Sequence, residues 1–158
     1  FGESCMNMYR LISSVGRPMD ECLAIARMIV RGVFEQLPNL KLIACHVGGG
    51  ICEALPRMDY AYELGDYCRF LGKFEPMLIN KKPSDYARQM YFDTATYSAP
   101  VIKLGIETVG YDHMVFGSDA PPLLPLLPRM QPLIESLKLP ADQTQAILSG
   151  NATRLLKL

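Results

Sequence analysis

Histidine is scarce in this chain: His46 and His113 are the only two in 158 residues. An excess of charge of either sign is lacking too, since 16 Lys and Arg offset 16 Asp and Glu. That balance excludes the basic field that nucleic acid or an anionic membrane would demand of a partner. No CxxC pair occurs among the five cysteines (Cys5, Cys22, Cys45, Cys52 and Cys68), and their number is odd. They read as thiols of a reducing compartment, which points to the cytoplasm and away from a disulfide scaffold or a structural zinc cluster. No apolar run approaches the roughly 18 residues that span a bilayer. No charged segment followed by an apolar one opens the chain, so no signal peptide is read. The first residue is Phe1 and not Met, and the expectation is an excerpt of a longer polypeptide.

What is present is ordinary globular composition, 49% hydrophobic and 20% charged, enough for one domain with a core. From Arg17 to Gln36 apolar residues recur at helical spacing; Pro18 suits the first turn and Pro38 stops the pattern. Leu40–Cys45 is a short apolar run in the form of a buried strand, followed by His46 and Gly48-Gly49-Gly50. A second helix is predicted from Cys52 to about Leu71, with Pro56 as a point of division. Residues 72–84 carry Gly72, Pro76 and Pro83 and read as a long loop or lid. Met90–Thr96 reads as a strand, and Ser98, Pro100 and Gly110 frame a helix. Met114–Phe116 reads as the next strand, closed by Gly117-Ser118-Asp119 and a proline-rich loop. Helices are predicted near 129–137, 141–149 and 151–157. Strands alternating with helices imply parallel βαβ units, used by open doubly wound sheets and by closed (β/α)₈ barrels. Three strands complete neither.

Chemistry concentrates at the strand ends. His46 closes a buried strand, where catalytic groups of parallel α/β folds collect. Its imidazole suits a general acid, a base or a metal ligand, and the glycines let the backbone turn and a substrate approach. The competing reading is a core or capping histidine beside a glycine turn. Asp119 closes another apolar strand, where a buried carboxylate needs a partner or a metal. A turn or N-cap role competes equally. The shared polarity of the two strand ends favours one site over two coincidences. His113 precedes its strand and is expected to be structural. Asp93, inside the middle strand, is expected to serve as a hydrogen-bonding residue ahead of any role beside the site. Arg57, eleven residues after His46, suits bidentate carboxylate binding, although a surface arginine is the plainer reading. The glycine run carries no GxGxxG and no following Lys-Ser/Thr, so a nucleotide loop is weakly supported.

Several ordered segments together resemble the amidohydrolase superfamily, in its 2-amino-3-carboxymuconate-semialdehyde decarboxylase-like branch. Gly32-Val33-Phe34-Glu35-Gln36-Leu37-Pro38-Asn39-Leu40-Lys41, running on to His46-Val47-Gly48-Gly49, is similar to the branch's approach to its sixth barrel strand. Tyr91-Phe92-Asp93-Thr94 resembles the seventh-strand signature, and Phe116-Gly117-Ser118-Asp119-Ala120-Pro121 the eighth. Asn151-Ala152-Thr153-Arg154-Leu155 resembles the closing helix. The resemblance implies an α/β chain forming about strands 6–8 of a (β/α)₈ TIM barrel, with residues 1–158 as a single partial domain.

By the same resemblance Asp119 is the eighth-strand metal ligand. His46 stands beside or on the metal as acid and base, and Arg57 binds substrate carboxylate across a subunit interface. The implied cofactor is a divalent ion, zinc first and manganese as the alternative, with no organic cofactor. The implied activity is non-oxidative decarboxylation of a small unsaturated or aromatic carboxylic acid, using metal-activated water, in a homodimer or higher homo-oligomer. The alternatives are a metal-dependent hydrolase or hydratase acting on a lactone, amide, ester or double bond, and an inactive barrel fragment. The family's first-strand His-x-His or Glu-x-His pair and its fifth-strand histidine have no counterpart here. Two ligands fall short of the three that a catalytic zinc takes from protein.

Overall fold

The computed structural model describes residues 9–65, 67 and 75–158. A π-helical turn, Ile12–Gly16, leads into α1 (Arg17–Val30) and α2 (Val33–Gln36). Then come β1 (Ile43–Ala44), a 3-10 turn over His46–Gly50, α3 (Ile51–Leu64), α4 (Pro83–Ala87) and β2 (Tyr91–Asp93). The remainder runs α5 (Ala99–Val109), β3 (Met114–Val115), α6 (Leu127–Glu135), α7 (Ala141–Gln145) and α8 (Asn151–Leu156). Among the described residues no helix is long and apolar enough to cross a membrane.

The chain divides into two compact units. One comprises the described residues of Phe1–Lys41 and Gly49–Gln89 and is helical. Its interior is built from Ile25 and Ile29 of α1, Phe34 of α2, Ile51 and Leu55 of α3 and Tyr86 of α4. The single helix expected over Arg17–Gln36 is interrupted at Arg31-Gly32. Gly32 takes φ +70, and a side chain there would run into the Leu78 carbonyl. Pro56 does not divide α3: losing one N–H forgoes a single hydrogen bond, and the helix runs through it. The helix ends at Leu64, earlier than expected; residues 66 and 68–71 of that expectation and 72–74 of the expected loop lie outside the described residues. Within the expected loop, α4 forms because Pro83 serves as an opening residue instead of a breaker. The hydroxyl of Tyr86 donates to Glu35 and accepts the N–H groups of Asn80 (3.2 Å) and Lys81 (3.1 Å). Burial pushes the Tyr86 phenol up, while its donated bond holds the Glu35 carboxyl below the usual range. Cys22 and Cys52 here, and Cys45 in the other unit, carry thiols and not disulfides.

The other unit, Leu42–Gly48 with Met90–Leu158, holds the sheet. Its three strands are parallel in the order β1-β2-β3, with Ile43 opposite Tyr91 and Phe92 opposite Met114. Each strand is shorter than the segment predicted for it, because ladder pairing is kept only over Ile43–Ala44, Tyr91–Asp93 and Met114–Val115. Phe92, Ile102, Met114, Ile134 and Ile147 are fully buried and form this unit's core. Serial helices after β3 return to the sheet through Asn151, itself fully buried. Its side-chain amide donates to the carbonyls of Tyr111 (2.8 Å) and Met114 (2.7 Å), and its oxygen accepts from Arg154 (3.1 Å). Asn151→Ala would leave two carbonyls without their donor. Urea denaturation should register a loss of about 2–6 kcal/mol, from roughly 1–3 kcal/mol for each of the two stranded groups. A change below about 0.5 kcal/mol would show that water replaces the amide.

Candidate active site at the strand ends

Because all three strands are parallel, their carboxyl ends open on one side of the sheet, and each delivers a polar residue there. His46 follows β1 in an unusual turn. Residues 46–50 all take positive φ: +51 and +52 for His46 and Val47, then +74, +62 and +109 for the three glycines. Glycine adopts this left-handed path freely, whereas each L-residue costs about 1–2 kcal/mol. Two contacts offset the strain. Asp93 Oδ1, at the end of β2, accepts the His46 N–H at 2.7 Å, and the Val47 side chain is buried. The same Asp93 oxygen accepts the Ala95 N–H at 3.0 Å. Asp93 therefore holds the histidine's backbone, the hydrogen-bonding role expected of it.

The third strand end is drawn against the second by Thr94 and Gly117. Fully buried Thr94 accepts the Gly117 N–H on its hydroxyl at 3.1 Å and donates its own N–H to Val115 at 3.1 Å. A Cβ at Gly117 would sit 2.8 Å from the Asp93 Cβ, so only glycine permits this approach. Two residues on, Asp119 takes φ +55 and carries its carboxylate to 3.5 Å from His46, Oδ2 to Nε2. Both side chains are about a quarter exposed, at 24% and 30%, open to a ligand yet partly desolvated. Tyr97, at φ +58, donates its hydroxyl to the same Asp119 oxygen at 3.2 Å; the Ser118 carbonyl is farther, at 3.5 Å. Burial first, then the neighbouring Asp119 carboxylate, pushes the Tyr97 phenol up to about 12, so it remains a proton donor throughout the neutral range.

His46 and Asp119 are thus brought together. Arg57 stands exposed on α3, in the other compact unit. His113 precedes β3, places Nδ1 2.8 Å from the Met90 carbonyl and stacks on Tyr91 with ring centroids 5.0 Å apart, a structural role. Sequence reasoning missed Tyr97, which lies beyond its strand in a segment read as the approach to a helix cap.

Two ligands at about 2.1 Å from a tetrahedral ion are separated by about 3.4 Å. The His46–Asp119 separation of 3.5 Å matches that spacing. An imidazole nitrogen and a carboxylate oxygen also suit zinc or manganese. Among the described residues no group of three or more His, Cys, Asp or Glu side chains that could hold a metal ion occurs.

The amidohydrolase family profile matches residues 6–158, and the chain belongs to that family; its relatives include 2-amino-3-carboxymuconate-6-semialdehyde decarboxylases. The decarboxylase of that name from Dictyostelium discoideum is 32% identical over 160 residues, covering 99% of this chain and 42% of that protein. The crystal structure of 5-carboxyvanillate decarboxylase from Sphingomonas paucimobilis superposes with a TM-score of 0.82 at 27% identity, over 98% of this chain and 45% of that one. A dihydroxybenzoic acid decarboxylase from a Polaromonas species, solved with manganese and 2-nitroresorcinol, shares the fold at 19% identity and TM-score 0.81, over 98% and 46% of the two chains. The chain therefore spans less than half the length of these relatives.

Proposed function

We propose that this chain forms a single partial domain, about strands 6–8 with their helices, of a (β/α)₈ barrel. We further propose that the intact protein is a metal-dependent, non-oxidative decarboxylase of a small aromatic or unsaturated carboxylic acid. One observation carries the reading: two groups from separate strand ends, His46 and Asp119, converge to 3.5 Å at the carboxyl edge of a parallel sheet. The decarboxylase relatives support the reaction class, and the manganese bound by the Polaromonas enzyme supports manganese as a candidate ion alongside zinc.

Asp119 would contribute one ligand and His46 would stand beside the ion as acid and base, the other ligands coming from outside the described residues. A bound divalent ion supplies Lewis acidity that fixes the substrate's oxygens and lowers the pKa of water. The remaining chemistry belongs to this chain. His46, whose side-chain type charges near neutrality, delivers a proton to the carbon bearing the carboxylate. The bond to the carboxyl carbon then breaks, CO₂ departs, and the bonding pair restores the conjugated system. Arg57 would bind substrate carboxylate at a neighbouring subunit's site in a homo-oligomer. The thiols of Cys22, Cys45 and Cys52 favour a reducing, cytoplasmic setting.

The test is to load the intact protein with manganese or zinc and offer it a panel of aromatic and unsaturated carboxylic acids. One CO₂ should appear per substrate consumed, and in D₂O the product should carry deuterium at the vacated carbon. Turnover without CO₂ would transfer the assignment to a hydrolase or hydratase. A protein that binds no divalent ion would remove the enzyme reading altogether.

A further inference from the structure

Three consecutive strand ends each use a left-handed, non-glycine residue to carry a polar side chain inward: His46 at φ +51, Tyr97 at φ +58 and Asp119 at φ +55. Such backbone is unfavourable for bulky residues and clusters where geometry is functionally constrained. The three side chains meet on one atom, Asp119 Oδ2, which lies 3.2 Å from the Tyr97 hydroxyl and 3.5 Å from His46 Nε2. An aspartate that is 30% exposed has two side-chain torsions and room to turn toward solvent. Tyr97 lends it a rigid ring and a single proton directed at one oxygen.

We propose that Tyr97 is a positioning residue, whose hydroxyl fixes the Asp119 carboxylate in the rotamer that faces His46. This rests on the decarboxylase reading for its catalytic consequence, but its geometric content stands apart from it. A phenol also donates without carrying charge, so it orients the carboxylate and leaves its negative charge for a cation. Partners that orient a metal ligand in this way commonly change metal affinity or activity by about ten- to a hundredfold when removed.

Tyr97→Phe keeps the ring and deletes the donor. In the intact, metal-free protein, the His46 imidazole resonances, assigned by comparison with His46→Asn, should shift in the variant as the Asp119 oxygen moves. On titration with manganese the variant should bind about ten- to a hundredfold more weakly than wild type. Its kcat should fall by about tenfold with KM changed less than about twofold. His46 resonances that coincide in the two proteins would overturn the positioning role, whether or not any metal binds. A wild type that binds no metal and releases no CO₂ would overturn the proposed function instead, and the resonance comparison would still decide the role of Tyr97.

Discussion

Asp119→Ala is expected to strip the divalent ion from the intact protein and lower kcat by at least about a thousandfold. The substitution removes a charged donor and the partner of both His46 Nε2 and the Tyr97 hydroxyl. Loss of an ion that stabilises transition-state charge is worth several kcal/mol, and about 4 kcal/mol corresponds to a thousandfold in rate. Aspartate tolerates φ +55 better than alanine does, so a Tm measurement on Asp119→Ala separates added backbone strain from loss of the ion. Asp119→Asn separates charge from shape: it keeps an oxygen for Tyr97 and tolerates the left-handed backbone, yet gives up the anion. Metal content measured by elemental analysis, beside CO₂ release, should show both variants depleted, alanine more than asparagine. If Asp119→Ala retains its metal and its turnover, Asp119 is a turn residue and the site is elsewhere.

The second large effect is expected at Asp93, through the backbone groups that it holds. Its Oδ1 accepts two backbone N–H groups, those of His46 at 2.7 Å and Ala95 at 3.0 Å. Bonds to a charged acceptor contribute about 1.5–3 kcal/mol each, so Asp93→Ala should destabilise the protein by roughly 3–5 kcal/mol. That is a large part of the 5–15 kcal/mol typical of a folded domain, from which a marked fall in Tm follows. Where the variant stays folded, His46 loses the contact that holds its strained backbone. A displacement of about 1 Å at a catalytic group costs on the order of a hundredfold in kcat. Asp93→Asn, whose amide oxygen still accepts from the backbone, should recover part of both losses. Denaturation and steady-state kinetics on the pair read the two effects separately. Equal damage from alanine and asparagine would mean that the charge of Asp93 matters more than its hold on His46.

How far the site could be read in the sequence depended on the kind of contact involved. His46 and Asp119 were legible because each breaks an apolar run at the end of a strand, a pattern set by local composition and by the polarity of parallel sheets. The glycines after His46 announced a turn, although not that five successive residues would take left-handed φ. Tyr97 carried no such mark. Its role arises from the meeting of two loops 22 residues apart in sequence, and nothing near it in the chain signals that contact. The fold behaved similarly. Helix α5 was readable from Ser98, Pro100 and Gly110, and the structure places Ser98 and Gly110 at its two ends. The break at Gly32 was not, because it depends on the carbonyl of Leu78. Pro83 illustrates a third case, a residue with two opposite local meanings: it opened a helix where a loop had been expected.

The left-handed turn after β1 also bears on the order in which the molecule assembles. Isolated L-residues avoid that path, so the His46–Val47 segment has no tendency to preform it in an unfolded chain. It becomes stable only when Asp93, 47 residues away, is docked and Val47 is covered. Contacts of such separation form late, after the intervening loop has been closed. His46 would then be among the last residues to reach its native orientation, and partly folded forms of the chain would hold the imidazole away from Asp119. Under this order the proposed cation site would be completed only as folding finishes.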